Sequence, residues 1–216
     1  SVLKGMQDRM RDKEEILSEN ENLKAQIDSL TEQNNKLIQD QTEYVRLQQM
    51  YNLDQQYTEY PKIAAEIISK DPGNWYDTFM INRGSADGIR VDNNVLADKG
   101  LVGIVTEVGT HWATVRSIID DSSNVSAMTV STQDNCVVEG DLELIDEGKL
   151  SFSQLYDQNN KVTVGERIVT SNISSKFLPG ILIGYAADMT TDQNRLTKSG
   201  YLIPAAQFDS LQEVLV

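Results

Sequence analysis

Few side chains in this sequence are able to carry out nucleophilic, acid–base or transition-metal chemistry. The chain contains one histidine, His111, and one cysteine, Cys136. A Ser-His-Asp hydrolase would have to use His111, which follows Gly109-Thr110 in a predicted hairpin turn, and no serine stands in a Gly-x-Ser-x-Gly elbow. A zinc site needs several His or Cys ligands, which the chain lacks. The sequence therefore predicts an exposed turn histidine and a small, buried, unreactive cysteine.

Two groups of carboxylates lie close together in the sequence and resemble the acid–base pairs of hydrolases. They are Asp120 with Asp121 and the stretch from Glu143 to Glu147. The chain has 33 acidic and 19 basic residues, a formal net charge of −14, so we expect these carboxylates to be solvated loop charges. Such a surface repels nucleic acid, which is bound through clustered Lys and Arg. Calcium-loop, P-loop and dinucleotide signatures are absent from the sequence. The sequence therefore predicts an interaction protein with no catalytic residues, no metal, no cofactor and no nucleic-acid partner.

The N-terminal part of the chain has an apolar residue at every seventh position. All four prolines and twelve of the thirteen glycines lie beyond Tyr60, so residues 1–60 are predicted to form a long helix. The repeated apolar positions, d in a heptad, are Ile16, Leu23, Leu30, Leu37 and Tyr44, and the a positions between them include Asn20, Ile27 and Asn34.

One helix cannot bury such a stripe alone, which predicts a coiled coil made by these eight residues. Leucine at d with single asparagines at a favours two parallel strands, since each Asn pairs with its twin only in register. Glu19 at g and Lys24 at the following e agree with a parallel homodimer. The alternative is one long amphipathic helix folded back on its own chain.

After Pro61 the apolar period changes from seven to two, which is typical of short β-strands separated by turns. The predicted strands are Lys62–Ser69, Trp75–Ile81, Gly100–Val108, Ala113–Ile119, Val125–Val130, Gly165–Thr170, Gly180–Ala186 and Gly200–Ile203. Strands of this spacing suggest small barrels or sandwiches. The segments Asp98–Val105 and Leu178–Tyr185 resemble each other, which favours two small domains over one larger domain.

The predicted fold class is α+β by content and mainly β, with a dimeric coiled-coil helix followed by two small antiparallel β-barrels. The predicted domains are the coiled coil at 1–60, a first barrel at 61–122 and a second barrel at 123–216. Whether the C-terminal strands return to the first barrel is left open. Val2 falls in the same seven-residue series as the seam, so we expect the natural start of the helix to lie upstream of this sequence.

Several blocks of the sequence resemble the MreC family of rod shape-determining proteins, in the family's order. The blocks are Lys70–Phe79 with its Asn74-Trp75-Tyr76-Asp77 motif, Ile81–Ile89, Gly100–Val105, Asp120–Val125, Val164–Ser171, Phe177–Ile181 and Phe208–Leu215. The region from Asp134 to Asn160 departs from the family pattern.

The resemblance implies a non-enzymatic scaffold of bacterial wall elongation, with a dimerising coiled coil and two small β-barrels outside the cytoplasmic membrane. It implies an N-terminal membrane anchor that this sequence does not include. The implied partners are class B penicillin-binding proteins, the membrane protein MreD and, through the membrane assembly, MreB.

The competing hypotheses are a hydrolase on a double barrel that uses His111, and a passive membrane-anchored spacer. A partner contact is predicted at Phe177, Leu178 and Pro179, because this apolar triplet lies in a turn-rich segment. The alternative for Phe177 is that its ring plugs the end of a barrel.

Overall fold

The computed structural model describes residues 2–70, 77–157, 159–193 and 196–216, except for the side chains of Val2, Leu3 and Asp8. The chain divides into two compact units, Ser1–Gln48 and Gln49–Val216. The first unit consists of helix α1, which begins at Val2 and continues to Gln56 in the second unit. Its sequence is rich in Glu, Lys, Gln and Leu, which have high helix propensity, and Gly5 is its one glycine.

Besides the end of α1, the described part of the second unit contains twelve strands and one short helix. They are β1 Ala64–Lys70, β2 Thr78–Ile81, β3 Asn94–Ala97, β4 Gly100–Val108, β5 Ala113–Ser117, β6 Asn124–Thr129, β7 Asn135–Glu139, α2 Leu142–Ile145, β8 Leu150–Leu155, β9 Arg167–Thr170, β10 Leu182–Thr191, β11 Lys198–Pro204 and β12 Glu213–Leu215. Short 3-10 turns cover Ser85–Asp87 and Phe208–Ser210.

The strands form two closed antiparallel barrels. In the first barrel the strand order is β1-β12-β3-β4-β5-β2, and in the second it is β10-β11-β8-β7-β6-β9. The C-terminal strand β12 therefore lies in the first barrel, between β1 and β3. The predicted architecture, a long helix followed by two small antiparallel barrels, is confirmed. The predicted domain boundaries at 60/61 and 122/123 stay a prediction.

Every second side chain along a strand points into the barrel and fills its interior. In β5 the residues Ala113, Val115 and Ser117 are buried while Arg116 is exposed, as expected when successive side chains point to opposite faces. The second barrel has the same arrangement, with Phe152 among its largest fully buried side chains. The buried residues of the two barrels form one continuous hydrophobic cluster.

The two similar sequence segments take corresponding places. Asp98–Val105 leads into β4, which pairs with β3, and Leu178–Tyr185 leads into β10, which pairs with β9. Gly100 lies where β4 passes β10, and a Cβ at this position would be 2.6 Å from the Leu182 carbonyl oxygen. The close approach of the two barrels at this point therefore depends on a residue without a side chain.

Four strands were missed from the sequence: β3, β7, β8 and β12. In β3 all four residues are buried, so no polar–apolar alternation marks it, and β12 has only three residues. Strand β2 begins at Thr78, whereas the prediction began at Trp75. Trp75 and Tyr76, and residues 71–74 of the block Lys70–Phe79, lie outside the described residues.

Candidate functional site

The first candidate surface is the apolar stripe on α1. The predicted seam residues Ile16, Leu23, Ile27, Leu30, Leu37 and Tyr44 all lie on the helix surface with more than half of each side chain exposed. Asn20 and Asn34 are exposed between them. Exposed leucine and isoleucine at heptad spacing leave an apolar stripe in water, which is unfavourable unless another chain covers it.

The described polar contacts within the first unit are local to the helix. The Thr31 hydroxyl donates to the Ile27 carbonyl oxygen at 2.7 Å, and the Arg46 guanidinium lies 2.6 Å from the Glu43 carboxylate. The Arg46–Glu43 pair stabilises an isolated helix by only about 0.2–0.5 kcal/mol, and a threonine bond to the carbonyl four residues earlier adds no helix stability. Neither contact covers the seam.

The second candidate surface is the junction between the two barrels, where β3 meets the segment that precedes β10. The side chain of Asn94 is buried there. Its Oδ1 accepts a hydrogen bond from the Leu178 amide at 2.7 Å, and its Nδ2 donates to the Lys176 carbonyl at 2.9 Å. One carboxamide therefore satisfies the backbone on both sides of Phe177 and joins residues of two barrels.

The predicted contact residues Phe177, Leu178 and Pro179 differ in their exposure at this junction. The Phe177 ring is buried, with 7% of the residue exposed, while Leu178 is 41% exposed and Pro179 is exposed. The Thr170 hydroxyl donates to the Leu178 carbonyl at 2.5 Å and accepts from the Ile181 amide at 2.9 Å. The backbone is therefore held so that Phe177 points inward and its two neighbours face solvent. Whether this triplet contacts a partner stays a prediction.

The end of α1 is tied to the same junction within the second unit. The Tyr57 hydroxyl accepts a hydrogen bond from the Leu182 amide at 3.0 Å, and Leu53 is buried. Burial raises the pKa of the Tyr57 hydroxyl, and the hydrogen bond from Leu182 offsets part of that rise. A small cavity of about 70 Å³ lies beside Tyr57, Leu178 and Ile181.

The Lys62 side chain binds carbonyl groups at and just beyond the C-terminal end of α1. Its ammonium donates to the Asp54 carbonyl at 3.0 Å, to the Tyr60 carbonyl at 3.2 Å and to the Tyr57 carbonyl, and it forms an ion pair with the Asp54 carboxylate at 3.2 Å. A cation at the carboxyl end of a helix is favourable because the last carbonyls have no partner within the helix. Tyr57, Lys62 and Asn94 were not predicted from the sequence, because Pro61 marks the end of the helix but not the contacts made there.

The residues first considered for chemistry have other roles in the structure. His111 is exposed in the turn before β5. Asp120 accepts from the Ser122 amide at 2.9 Å, and Asp121 accepts from the Leu142 amide at 2.9 Å, so both carboxylates hold turns. Cys136 is buried in β7, and burial raises the pKa of its thiol to about 12, which keeps it in the unreactive thiol form.

The part of the chain that the structure describes contains no group of three or more His, Cys, Asp or Glu residues placed to hold a metal ion. Within the same ranges, no helix is both long enough and apolar enough to cross a membrane.

Comparison with known proteins gives one consistent family. A family model described as rod shape-determining protein MreC, barrel core, matches residues 67–216. The cell shape-determining protein MreC of Listeria monocytogenes is 28% identical over 222 residues, which cover 100% of this chain and 73% of that protein. The Bacillus subtilis protein of the same name is 28% identical over 98% of this chain and 76% of its own length.

Solved structures agree with the sequence matches. A structure of MreC from Listeria monocytogenes superposes with a TM-score of 0.65 at 32% identity, covering 87% of this chain and 92% of that chain. A complex between a penicillin-binding protein, PBP2, and MreC from Helicobacter pylori matches with a TM-score of 0.54 at 12% identity, covering 72% and 98%. At that identity the second match shows the fold alone.

Proposed function

Because this chain belongs to the MreC family of rod shape-determining proteins, we propose that it is a non-enzymatic scaffold that dimerises through α1 and organises peptidoglycan synthesis during cell elongation. The observation that carries the proposal is the exposed heptad seam on α1, in the same chain as two closed barrels. A dimer built in this way presents two copies of every barrel surface, which allows two synthases to be held in one assembly.

The absence of catalysis is part of the proposal. In the described residues the lone histidine is exposed, the lone cysteine is held as a thiol, and the paired carboxylates hold turns. These placements favour a binding role over the alternative of a hydrolase on a double barrel. Organising other proteins requires rigid surfaces, and the closed barrels supply them.

The proposed partners are class B penicillin-binding proteins, with MreD and, through the membrane assembly, MreB. The Helicobacter pylori relative was solved in complex with a penicillin-binding protein, and this supports the first of these partners. We place the barrels on the extracytoplasmic side of the bacterial cytoplasmic membrane, reached through an N-terminal anchor upstream of α1. Leu178 and Pro179 are the proposed contact within the triplet, because they face solvent at the barrel junction.

The experiment measures binding of this chain to the extracytoplasmic region of a class B penicillin-binding protein from the same organism. The test variant is Leu178→Ser, and the matched control is Val130→Ser, since both side chains are 41% exposed. We expect the wild type and the control to bind, and Leu178→Ser to bind about tenfold or more weakly, as for a central apolar contact.

A Leu23→Ala with Leu30→Ala variant adds a second comparison. On a surface coated with the synthase, a dimer gains avidity that a monomer lacks, so the seam variant should dissociate faster there while its affinity in solution stays unchanged. Wild-type protein that binds no class B synthase in either format would support the passive spacer and overturn the scaffold proposal.

A further inference from the structure

The outer face of the second barrel carries a patch of large exposed side chains. Tyr185 in β10 and Ile203 in β11 are direct register partners, and Tyr201 lies two residues before Ile203 on the same face of β11. Their exposed fractions are 37%, 53% and 39%. These three residues, called here the Tyr201 patch, place two aromatic rings and a branched aliphatic side chain together in solvent, which is typical of a protein contact.

An open groove of about 420 Å³ adjoins this patch and shares Ile203 with it. One wall is the end of β11, and the opposite wall is the turn after α2. The segment that leads from the second barrel back towards β12 completes the lining. The lining residues are Ile145, Asp146, Gly148, Ile203, Pro204, Ala206, Gln207, Phe208 and Asp209.

Hydrogen bonds fix both walls of the groove. The Asp141 carboxylate caps α2 by accepting from the Glu143 and Leu144 amides at 2.9 and 3.1 Å. Across the groove, the Gln207 amide donates to the Asp98 carboxylate at 2.8 Å, and the adjacent Phe208 is buried. A groove held in this way is formed before any ligand arrives, so binding does not have to order its walls.

The charges around the groove indicate what it binds. The charged side chains that line it are the exposed carboxylates of Asp146 and Asp209. Lys149 stands nearby, but its ammonium pairs with Glu147 at 3.1 Å and lies 5.9 Å from the centre of the Tyr201 ring. The opposite border of the patch carries the exposed Arg167, the register partner of Tyr185. The surface is therefore anionic at the groove and cationic at its far edge.

We propose that the Tyr201 patch and this groove bind a segment of another protein in which aromatic or aliphatic side chains adjoin lysine or arginine. The apolar side chains cover Tyr185, Tyr201 and Ile203, and the cation enters the groove towards Asp146 and Asp209. The inference rests on the proposed scaffold function and adds a second partner surface, separate from Leu178. A second copy of this chain is disfavoured as the occupant, because a chain with 33 acidic and 19 basic residues offers few cationic segments to an anionic groove.

The test uses the full chain and a phage-displayed library of random linear peptides as the probe. Selection runs on the wild type, on Tyr201→Ser with Ile203→Ser, and on Asp146→Asn with Asp209→Asn. Because all four side chains are exposed, the variants should fold, and unchanged melting curves verify this. Val164→Ser, exposed and outside the patch, and Glu143→Gln, on α2 but not lining the groove, are the matched controls.

We expect enriched peptides to combine aromatic or aliphatic residues with Lys or Arg, and to bind both controls as they bind the wild type. A synthetic copy of an enriched peptide should bind the serine variant at least about tenfold more weakly, as for loss of an aromatic anchor. The asparagine variant should bind it more weakly and with a flatter dependence on salt, because charge pairs at a surface are screened by ions.

Three results would overturn the proposal: no enrichment on the wild type, enrichment of acidic or uncharged peptides, or equal binding by the serine variant. Association of wild-type dimers into larger species that the serine variant loses would also overturn it, since the occupant would then be a second copy. Failure of the scaffold proposal is distinguishable, because wild-type binding to a class B synthase is measured separately and does not enter these comparisons.

Discussion

Asn94 and Leu178 stand 84 residues apart in the sequence and are joined by a 2.7 Å hydrogen bond from the Leu178 amide to the Asn94 carboxamide oxygen. The same carboxamide donates to Lys176 at 2.9 Å, so one buried side chain links β3 of the first barrel to the segment before β10 of the second. This link holds Phe177 in the core and leaves Leu178 half-exposed.

Replacing Asn94 with Leu should destabilise the second unit by about 1–3 kcal/mol, because the part-buried Leu178 amide and Lys176 carbonyl would lose their partner. Urea unfolding followed by circular dichroism measures the change. Asn124→Ala is the control, since Asn124 is exposed on β6, and it should stay close to the wild type. An Asn94→Leu variant as stable as the control would show that the link contributes nothing.

Phe177→Ser should lower the free energy of unfolding by about 3 kcal/mol or more, because it removes a buried aromatic ring and introduces a hydroxyl. Leu178→Ser, at a 41% exposed position, should cost less than about 1 kcal/mol. Thermal melting of the two variants gives the comparison directly. A Phe177→Ser protein that melts like the wild type would contradict the buried position of the ring.

Asn20 and Asn34 should set the register of the coiled coil at a cost in stability. Converting both to Val should raise the melting temperature of the helix and loosen its preference for two strands. Asn35→Val, outside the a and d positions, should not raise it. The measurement is thermal melting by circular dichroism together with mass by light scattering. A double variant that melts lower and stays strictly dimeric would oppose a register role.

Asp157 gives a pH prediction. Burial alone would raise its pKa, but hydrogen bonds from Lys198, Lys161 and Val162 outweigh burial and hold the pKa below its usual 3.8. A carboxyl whose pKa is depressed in the folded state stabilises the protein above its unfolded pKa, and this contribution is lost as the pH falls through the folded value. The stabilisation that Asp157 contributes should therefore be lost in acid, as the pH falls below 3.8.

Asp157→Asn, which cannot ionise, supplies the comparison. The difference in melting temperature between the wild type and this variant should be constant from about pH 7 to pH 5 and shrink at lower pH. Asp188→Asn, which removes an exposed carboxylate on β10, is the control for the substitution itself. A difference for Asp157→Asn that stays constant down to pH 3.8 and below would rule out the linkage.

Local patterns in the sequence were sufficient for the helix and for most strands. The seven-residue spacing from Ile16 to Tyr44 predicted α1, and the glycine and proline turns delimited strands such as Gly100–Val108, which the structure reproduces. The fully buried β3 could not be recognised, because a strand buried on both faces has no alternation.

The junction could not be predicted from local patterns at all. The partners of Asn94 lie 82 and 84 residues away, and Tyr57 meets Leu182 across 125 residues. Nothing in the neighbourhood of either residue marks it as a contact, since both roles depend on how two barrels pack. Phe177 was identified as apolar in a turn, but its inward orientation follows from hydrogen bonds made by Asn94 and Thr170.

The scaffold proposal depends on the seam on α1 bringing two copies of this chain together. Sedimentation equilibrium of the full chain at micromolar concentration tests it, with Leu23→Ala plus Leu30→Ala as the seam variant. Each substitution should cost about 2–5 kcal/mol if the leucine is buried in a dimer. Alanine has the higher helix propensity, so a loss of dimer cannot be attributed to a weaker helix.

Glu32→Ala with Gln39→Ala is the matched control, because these residues have the same seven-residue spacing on the outer face of the helix. We expect a dimer for the wild type and the control, and a monomer for the seam variant. A monomeric wild type, or a seam variant that remains as dimeric as the control, would contradict this expectation.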